Sequence, residues 1–177
     1  TNYVTIAYNT ETVELIEFEQ GKLPTGSNKS VRNVTSAIFN LKATNERCIV
    51  MSVHFNTSES QIENNGHEIL EFISDLKTRY PDYPIVLAGD FNTREGSVAY
   101  DTIVNGSGFT DTKTADKLGL VMDTYHKGNG FDSTTTLGRD SIYPKHVMTT
   151  ASIDHIFTDN NIQVLYFNTV CDDDALL

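Results

Sequence analysis

The chain has 177 residues, of which 38% are hydrophobic and 21% are charged, values that favour one globular domain over residues 1–177. Its 24 acidic and 13 basic residues give a net charge of −11, which argues against tight, sequence-independent binding of a polyanion through a basic surface. No apolar run approaches the roughly 20 residues that a membrane-spanning helix needs.

The first part of the chain predicts β-strands. Residues 3–8 and 13–18 predict a hairpin with its turn near Glu11 and Thr12, and the second arm alternates as a half-buried strand does. Residues 21–29 contain Gly, Pro, Ser and Asn and predict a loop. Residues 34–41 predict a further strand.

A buried strand and an amphipathic helix follow. Residues 48–55 predict the strand, and His54 lies at its C-terminal end. Ser58 and Gln61 have the spacing of a capping box. The apolar residues behind them recur with the period of a helix that stops before Pro81, namely Ile69, Phe72, Ile73 and Leu76.

The most informative stretch is residues 85–93, where an apolar run ends in Gly89, Asp90, Phe91 and Asn92. Such a run predicts a strand buried on both faces. Residues two apart on an extended chain point the same way, so Asp90 and Asn92 should face one site. A charge and an amide at a buried strand end are costly unless a polar or cationic group meets them. The stretch therefore predicts either an active-site rim or an ordinary turn.

The last part of the chain is less regular. A short helix is predicted to begin at Ser97 and to end at residues 106–108, where two glycines lie. Residues 109–150 have little periodicity, which is typical of a functional loop. Residues 153–157 and 162–167 predict a closing hairpin.

Polar residues follow or interrupt three of the apolar runs: His54, Asp90 with Asn92, and Asp154 with His155. Three such strand ends predict one converging site. A carboxylate can activate water, an amide can hold a phosphoryl oxygen, and an imidazole can donate to a leaving group. A Mg²⁺ ion would neutralise the charge that develops on a phosphate, and an acidic chain suits such a hard cation.

These motifs resemble those of a known family. Residues 88–92, Ala-Gly-Asp-Phe-Asn, are similar to the GDFN signature of the endonuclease/exonuclease/phosphatase superfamily, which has the deoxyribonuclease-I-like fold. Residues 53–56 resemble its strand-end histidine motif, and residues 152–157, Ser-Ile-Asp-His-Ile-Phe, resemble its IDYIF-type motif. The three motifs occur in the family's order, and the resemblance covers most of the chain.

The resemblance implies an α/β fold, a four-layer α/β/β/α sandwich of two mixed sheets, and metal-dependent hydrolysis of phosphoester bonds. By position, His54 matches the acid or phosphate-contacting histidine. Asp90 matches the carboxylate that orients or deprotonates the attacking water, and Asn92 matches the amide that holds phosphate. Asp154 matches the aspartate that orients a second histidine. The implied cofactor is Mg²⁺, with Mn²⁺ or Ca²⁺ as alternatives, and Asp90 is its candidate ligand.

Other polar residues receive different roles. His155 occupies a position where the family usually has Tyr, and it is interpreted as filling an aromatic slot. Asn56, in the histidine motif, and His126, in the long loop, are predicted to bind substrate. His146 is interpreted as a loop or substrate-rim residue, and His67 as a surface residue of the helix.

Two motifs of the family have no counterpart in the sequence. The first is the principal metal-binding Glu, which lies on an early strand of the family. The second is the terminal Ser-Asp-His, which is absent because no histidine follows the acids at 172–174. The resemblance therefore implies an incomplete domain, the central and C-terminal part of one of about 250 residues. Three hypotheses follow: an active hydrolase in the full-length form, a non-catalytic binding module, and an inactive fragment of an active parent.

The sequence leaves the substrate and the compartment open. Lysines and arginines are scattered, which disfavours a strong nucleic-acid binder, so a small phosphoester or a lipid head group is at least as well supported as DNA or RNA. Four sequons are compatible with secretion, the alternative being the cytoplasm: Asn28, Asn33, Asn56 and Asn105. The only cysteines, Cys48 and Cys171, suit two buried thiols or one disulfide. Nothing in the sequence indicates an oligomeric state.

Overall fold

A mixed sheet of six strands forms the centre of the described part of the fold. The computed structural model describes residues 4–23, 32–115, 152–165 and 167. The strands are β1 (Val13–Leu23), β2 (Arg32–Leu41), β3 (Glu46–His54), β4 (Ile85–Asp90), β5 (Thr110–Asp111) and β6 (Asp154–Thr158). They lie in the order β1-β2-β3-β4-β6-β5, in which β3 and β4 are parallel and every other neighbouring pair is antiparallel.

Helices α1 (Glu59–Arg79), α2 (Val98–Ser107) and α3 (Thr112–Ala115) complete the described structure. Helix α1 is the crossover that two adjacent parallel strands require, because a tight turn cannot join them. Its apolar stripe packs into one core with α2 and with one face of the sheet. The fully buried members of this core include Ile69, Leu76, Ile49, Leu87 and Ile103.

The two faces of the sheet differ in their cover. Alternation along the strands sends Ile49, Leu87 and Phe157 towards the helices, where they are buried. The other face carries half-buried side chains in β3 and β4 and two exposed apolar residues, Phe18 at 63% and Ile156 at 40%. The mixed α/β class is therefore confirmed, and the described residues contribute one sheet of the predicted sandwich. Among the described residues β4 is fully buried on one face only, whereas the sequence predicted burial on both faces.

The hairpin predicted at the start of the chain is wrong. Residues 4–9 form no strand, and they cross the sheet face that the helices leave uncovered. Thr35 Oγ1 donates to the carbonyl oxygen of Val4 at 2.7 Å, and the rings of Tyr8 and Phe39 pack with centroids 5.0 Å apart. Strand β1 pairs with β2 instead. Alternation predicts that a strand exists, but it does not specify the partner.

Three further predictions need correction. The pairing of β1 continues to Leu23, into the predicted loop. Residues 162–165 form no strand, so the closing hairpin is absent there, and β6 pairs with β4 and β5 instead. Ser58 is the N-cap of α1, but its side chain makes no capping hydrogen bond. The predicted capping box is therefore not formed.

The predicted ends of the two longer helices hold, whereas residues 110–115 of the predicted irregular stretch form β5 and α3. Helix α1 ends at Arg79, before Pro81, and α2 follows its predicted N-cap, Ser97, whose side chain accepts from the Tyr100 N–H. Gly108 ends α2 in the left-handed conformation, with φ of 70°, as glycine commonly does. None of the helices in the described ranges is long and apolar enough to cross a membrane. Cys48 is half-buried and forms no disulfide within the described residues, which do not include Cys171, and burial raises the pKa of its thiol.

Candidate active site

Three of the predicted site residues lie side by side at one end of the sheet. His54 pairs with Asp90 across β3 and β4, and Asp90 pairs with Asp154 across β4 and β6. Side chains at directly paired positions project from the same face. This face is the one opposite to the helices, since Val53 and Leu87, on the alternate positions, belong to the buried core. The predicted convergence of the three strand ends is therefore present in the ladder.

His54 and Asp90 are partly exposed, and Asp154 beside them is exposed. The His54 Nε2 atom lies 3.5 Å from Asp90 Oδ2, and the two side chains are 39% and 33% exposed. This separation is longer than a good hydrogen bond, so the pair is a loose electrostatic contact that solvent weakens. Both groups are accessible to a ligand.

Asn92 reaches Asp90 by a turn, and not along an extended strand. Strand β4 ends at Asp90, and Asn92 has φ of 49°, a left-handed conformation that Asn tolerates better than most residues. Its backbone N–H donates to Asp90 Oδ1 at 2.8 Å, and its side-chain Nδ2 donates to the carbonyl oxygen of Phe55 at 3.1 Å. The carboxamide has two N–H bonds, and only one has a partner within the described residues.

Each residue of the Gly89–Asn92 segment has a separate physical role. A Cβ atom on Gly89 would lie 2.0 Å from the carbonyl oxygen of Val53, so only glycine permits the close approach of β4 to β3. The ring of Phe91 is fully buried and meets the ring of Phe157 edge-on at 5.1 Å. The aromatic residue anchors the segment in the core while Asp90 and Asn92 remain at the surface.

Backbone hydrogen bonds hold the same segment on both sides. The Phe55 N–H donates to the carbonyl oxygen of Asp90 at 2.9 Å, and the Phe91 N–H donates to the carbonyl oxygen of Ile153 at 2.8 Å. The segment is therefore tied both to the end of β3 and to the residue that precedes Asp154.

Asn56 lies inside the protein, at the start of α1. It is 1% exposed, and its Oδ1 accepts from the N–H groups of Thr57 and Ser58 at 2.7 Å and 3.4 Å. Its Nδ2 is a buried donor without a partner within the described residues. Its predicted contact with substrate stays a prediction. His126 and His146 lie outside the described residues.

His155 fills an aromatic environment, as its sequence position implied, and it also makes two polar contacts. Its ring packs against three neighbours, with centroids 5.8 Å from Phe91, 5.2 Å from Tyr100 and 5.4 Å from Phe157. Its Nδ1 lies 2.9 Å from Asp111 Oδ2, and its Nε2 lies 3.0 Å from the carbonyl oxygen of Thr93. The sequence interpretation missed both contacts.

Asp111 is the other buried member of this cluster. The Tyr100 hydroxyl donates to Asp111 Oδ2 at 3.2 Å, and the Lys113 N–H donates to Asp111 Oδ1 at 2.9 Å. Burial raises the pKa of the Tyr100 phenol, and the Asp111 carboxylate raises it further. Asp111 belongs to a strand of two residues, which is too short to produce a periodic signal in sequence.

Lys113 connects the two loops that flank the row. Its Nζ lies 2.9 Å from Glu95 Oε1 and donates to Ser152 Oγ at 2.8 Å. Glu95 follows the Asn92 turn, and Ser152 precedes Asp154. Lys113 therefore holds the segment after Asn92 close to the segment before Asp154.

The donor chemistry of the row suits a hard divalent cation in kind, but the described residues do not complete a site. Asp90 and Asp154 offer carboxylate oxygens on neighbouring strands, and Mg²⁺ is often held by one or two carboxylates together with water and substrate phosphate. Within the described ranges no group of three or more His, Cys, Asp and Glu side chains is arranged to hold a metal ion.

No family model and no curated protein matches the sequence, whereas several solved structures are similar to it. The mannosyl-6-phosphatase Bt3783 of Bacteroides thetaiotaomicron VPI-5482 superposes with a TM-score of 0.77 and 19% identity over 93% of this chain and 60% of that one. An endonuclease/exonuclease/phosphatase family protein of Bacteroides thetaiotaomicron gives a TM-score of 0.73 and 19% identity, over 93% and 58% of the two chains.

A conserved protein of unknown function from Enterococcus faecalis V583 gives a TM-score of 0.74 and 21% identity, over 95% of this chain and 63% of that one. The chain thus spans about 60% of the length of the solved structures that it resembles. With the ladder row and its motifs, these superpositions show that the chain has the deoxyribonuclease-I-like fold of the endonuclease/exonuclease/phosphatase proteins.

Proposed function

We propose that the whole protein containing this chain is a divalent-metal-dependent phosphoric ester hydrolase, and that the row of His54, Asp90 and Asp154 belongs to its active site. The observation that supports this most strongly is the ladder, in which these residues of separate motifs occupy directly paired positions. Similar solved structures include a phosphatase and an endonuclease/exonuclease/phosphatase family protein. Because the chain spans about 60% of their length, the activity is assigned to the whole protein.

Asp90 is proposed to activate the attacking water. Its Oδ1 already accepts the Asn92 N–H, so Oδ2 is the atom that is left to take a proton from water. The water oxygen then bonds to phosphorus while the bond from phosphorus to the leaving oxygen breaks, and the leaving oxygen keeps the bonding electron pair and takes a proton from solvent. The second Nδ2–H bond of Asn92 is proposed to donate to a phosphoryl oxygen, where it stabilises negative charge.

The position of His54 favours a contact with phosphate over protonation of the leaving group. Attacking and leaving oxygens lie in line on opposite sides of phosphorus, so a base and an acid that bind them must stand well apart. His54 Nε2 is only 3.5 Å from Asp90 Oδ2. An imidazole so close to the base can reach a non-bridging oxygen of the same phosphate, and we assign it that role.

Mg²⁺ is the proposed cofactor, with Mn²⁺ or Ca²⁺ as alternatives and Asp90 as the candidate ligand. When bound, the ion would supply the positive charge that neutralises a phosphate at this site. A need for a bound cation is consistent with the chain's net charge of −11. We further propose that the substrate is a small phosphoester, such as a sugar phosphate, because one similar structure is named as a mannosyl-6-phosphatase.

Activity assays on the whole protein test this proposal. Hydrolysis of a hexose 6-phosphate, p-nitrophenyl phosphate, bis-p-nitrophenyl phosphate and single-stranded DNA is measured with Mg²⁺, Mn²⁺ or Ca²⁺ and with EDTA. We expect turnover of the monoesters that EDTA abolishes, and a loss of at least ~100-fold in Asp90→Asn, the range for removing a general base. Asp101→Asn, an exposed acid on α2, is the matched control and should retain full activity.

Retained activity in Asp90→Asn would contradict the assigned role. A wild-type protein that binds these esters but turns none over with any of the three metals would support the alternative, a binding module that keeps the fold.

A further inference from the structure

His155 binds the backbone of the loop that follows Asn92. Its Nε2 lies 3.0 Å from the carbonyl oxygen of Thr93, and its Nδ1 lies 2.9 Å from Asp111 Oδ2. The side chains of His155 and Asp111 are 0% and 1% exposed. Water therefore has no access to this contact, and the imidazole connects β5 to the loop after β4.

The two partners require one proton in each of the two contacts of the ring. A backbone carbonyl can only accept a hydrogen bond, so Nε2 must carry a proton. A carboxylate also only accepts, and Asp111 already receives the Tyr100 hydroxyl and the Lys113 N–H. A second proton must therefore lie between Nδ1 and Oδ2, whichever atom it is nearer to. A phenylalanine could fill the same space, but it could make neither bond.

The contact to Thr93 closes a series of restraints on the candidate site. The carbonyl oxygen of Asp90 is bound by the Phe55 N–H, and the Phe91 N–H by Ile153. The N–H of Asn92 is bound by Asp90 Oδ1. On the far side of Asn92 the carbonyl oxygen of Thr93 is bound by His155, so the left-handed Asn92 is held from both directions.

We infer that His155 is a positioning residue for the active site. It acts through the Thr93 carbonyl to keep Asn92 in the left-handed conformation, with its N–H on Asp90 and its carboxamide beside the phosphate position. Its effect on catalysis rests on the proposed function, whereas its effect on the Asn92 conformation does not. The bond to Asp111 has a supporting part, which is to orient the ring so that Nε2 faces Thr93.

Two substitutions separate this role from simple packing. The side-chain amide of glutamine reaches the Nε2 position of a histidine, and that of asparagine reaches the Nδ1 position. His155→Gln can therefore keep the bond to Thr93, and His155→Asn can keep only the bond to Asp111. Both variants lose the ring, so their losses of packing are similar. Phe157 is fully buried and its ring packs on His155, so Phe157→Leu is the control for a packing defect that removes neither hydrogen-bonding partner.

The first readout needs no substrate. Hydrogen exchange of the Asn92 amide reports whether its bond to Asp90 persists, because a protected N–H exchanges only when the bond opens. We expect exchange at least tenfold faster in His155→Asn than in wild type, and within threefold of wild type in His155→Gln and Phe157→Leu. In wild type, nitrogen-15 NMR should also show a slowly exchanging proton on Nε2.

The second readout is hydrolysis by the whole protein. We expect kcat/KM to fall at least tenfold in His155→Asn and to be restored to within threefold of wild type in His155→Gln. If the two variants are equal in both exchange and activity, or if Phe157→Leu equals His155→Asn, the positioning role is wrong. If the wild type hydrolyses no phosphoester, the proposed function fails, and the exchange experiment alone decides the positioning of Asn92.

Discussion

Position 89 is expected to tolerate no side chain. Gly89 has φ of +149°, and a Cβ atom there would lie 2.0 Å from the carbonyl oxygen and 2.9 Å from the carbonyl carbon of Val53. Both are backbone atoms of β3, so no side-chain rotation relieves the contact and the parallel strands must separate. Gly89→Ala therefore combines backbone strain of about 1–3 kcal/mol with overpacking of about 1–3 kcal/mol. We expect the free energy of unfolding to fall by roughly 4 kcal/mol, which is a large part of a typical total.

Gly96→Ala is the matched control. Gly96 also has a positive φ, of +74°, but a Cβ atom there would meet nothing within 4 Å. Only the left-handed backbone term remains, about 1–2 kcal/mol. Urea unfolding of both variants should separate their midpoints by about 1 M, given a slope near 2 kcal/mol per molar for a protein of this size. Coincident midpoints would show that the contact with Val53 is not the reason for glycine at position 89.

Two further predictions concern helices α1 and α2. Gly66 lies within α1, and a Cβ atom there would make an ordinary contact, 3.5 Å from the nearest atom of Ala99. Gly66→Ala should therefore raise the free energy of unfolding by about 1 kcal/mol. A lower urea midpoint would contradict this. Burial and Asp111 raise the pKa of Tyr100, so the folded state keeps a proton that the unfolded state loses above its ordinary pKa of about 10. The contribution of the Tyr100 phenol to the free energy of unfolding is fully present below that pH and is lost as the pH rises through the alkaline range. Tyr100→Phe should flatten the decline in urea midpoint between about pH 9.5 and 11, and an unchanged slope would refute the assignment.

The regular elements could be predicted because their signals are local. Strands β2, β3 and β4 are apolar runs of typical length, and α1 has a clear helical period between two recognisable ends. The partner of β1 was not predicted, because alternation specifies no partner and the pairing runs from Leu23 with Arg32 to Val13 with Leu41, which extends it into the residues that were assigned to a loop. Strand β5 and helix α3 have two and four residues, too few for any period to be visible.

The candidate site divides in a similar way. His54 and Asp90 each end a strand and Asp154 begins one, so their meeting follows from the order of the strands. Asn92 was expected to project from an extended chain, and it lies instead in a left-handed turn. The bond between His155 and Asp111 joins residues 44 positions apart. The sequence around each of these two residues is like that around any buried or loop residue, so only the fold reveals the pair.

The close contact between β3 and β4 also limits which pairing of these strands can exist. Sliding β4 by one residue along β3 would put Ala88 or Asp90, which both carry a Cβ atom, opposite Val53 in place of Gly89. The same slip would turn Asp90 to the opposite face of the sheet, away from His54. It would also turn the buried side chains of Ile85 and Leu87 away from the core. We therefore expect the packing of β4, together with glycine at position 89, to favour the one register that places His54 beside Asp90.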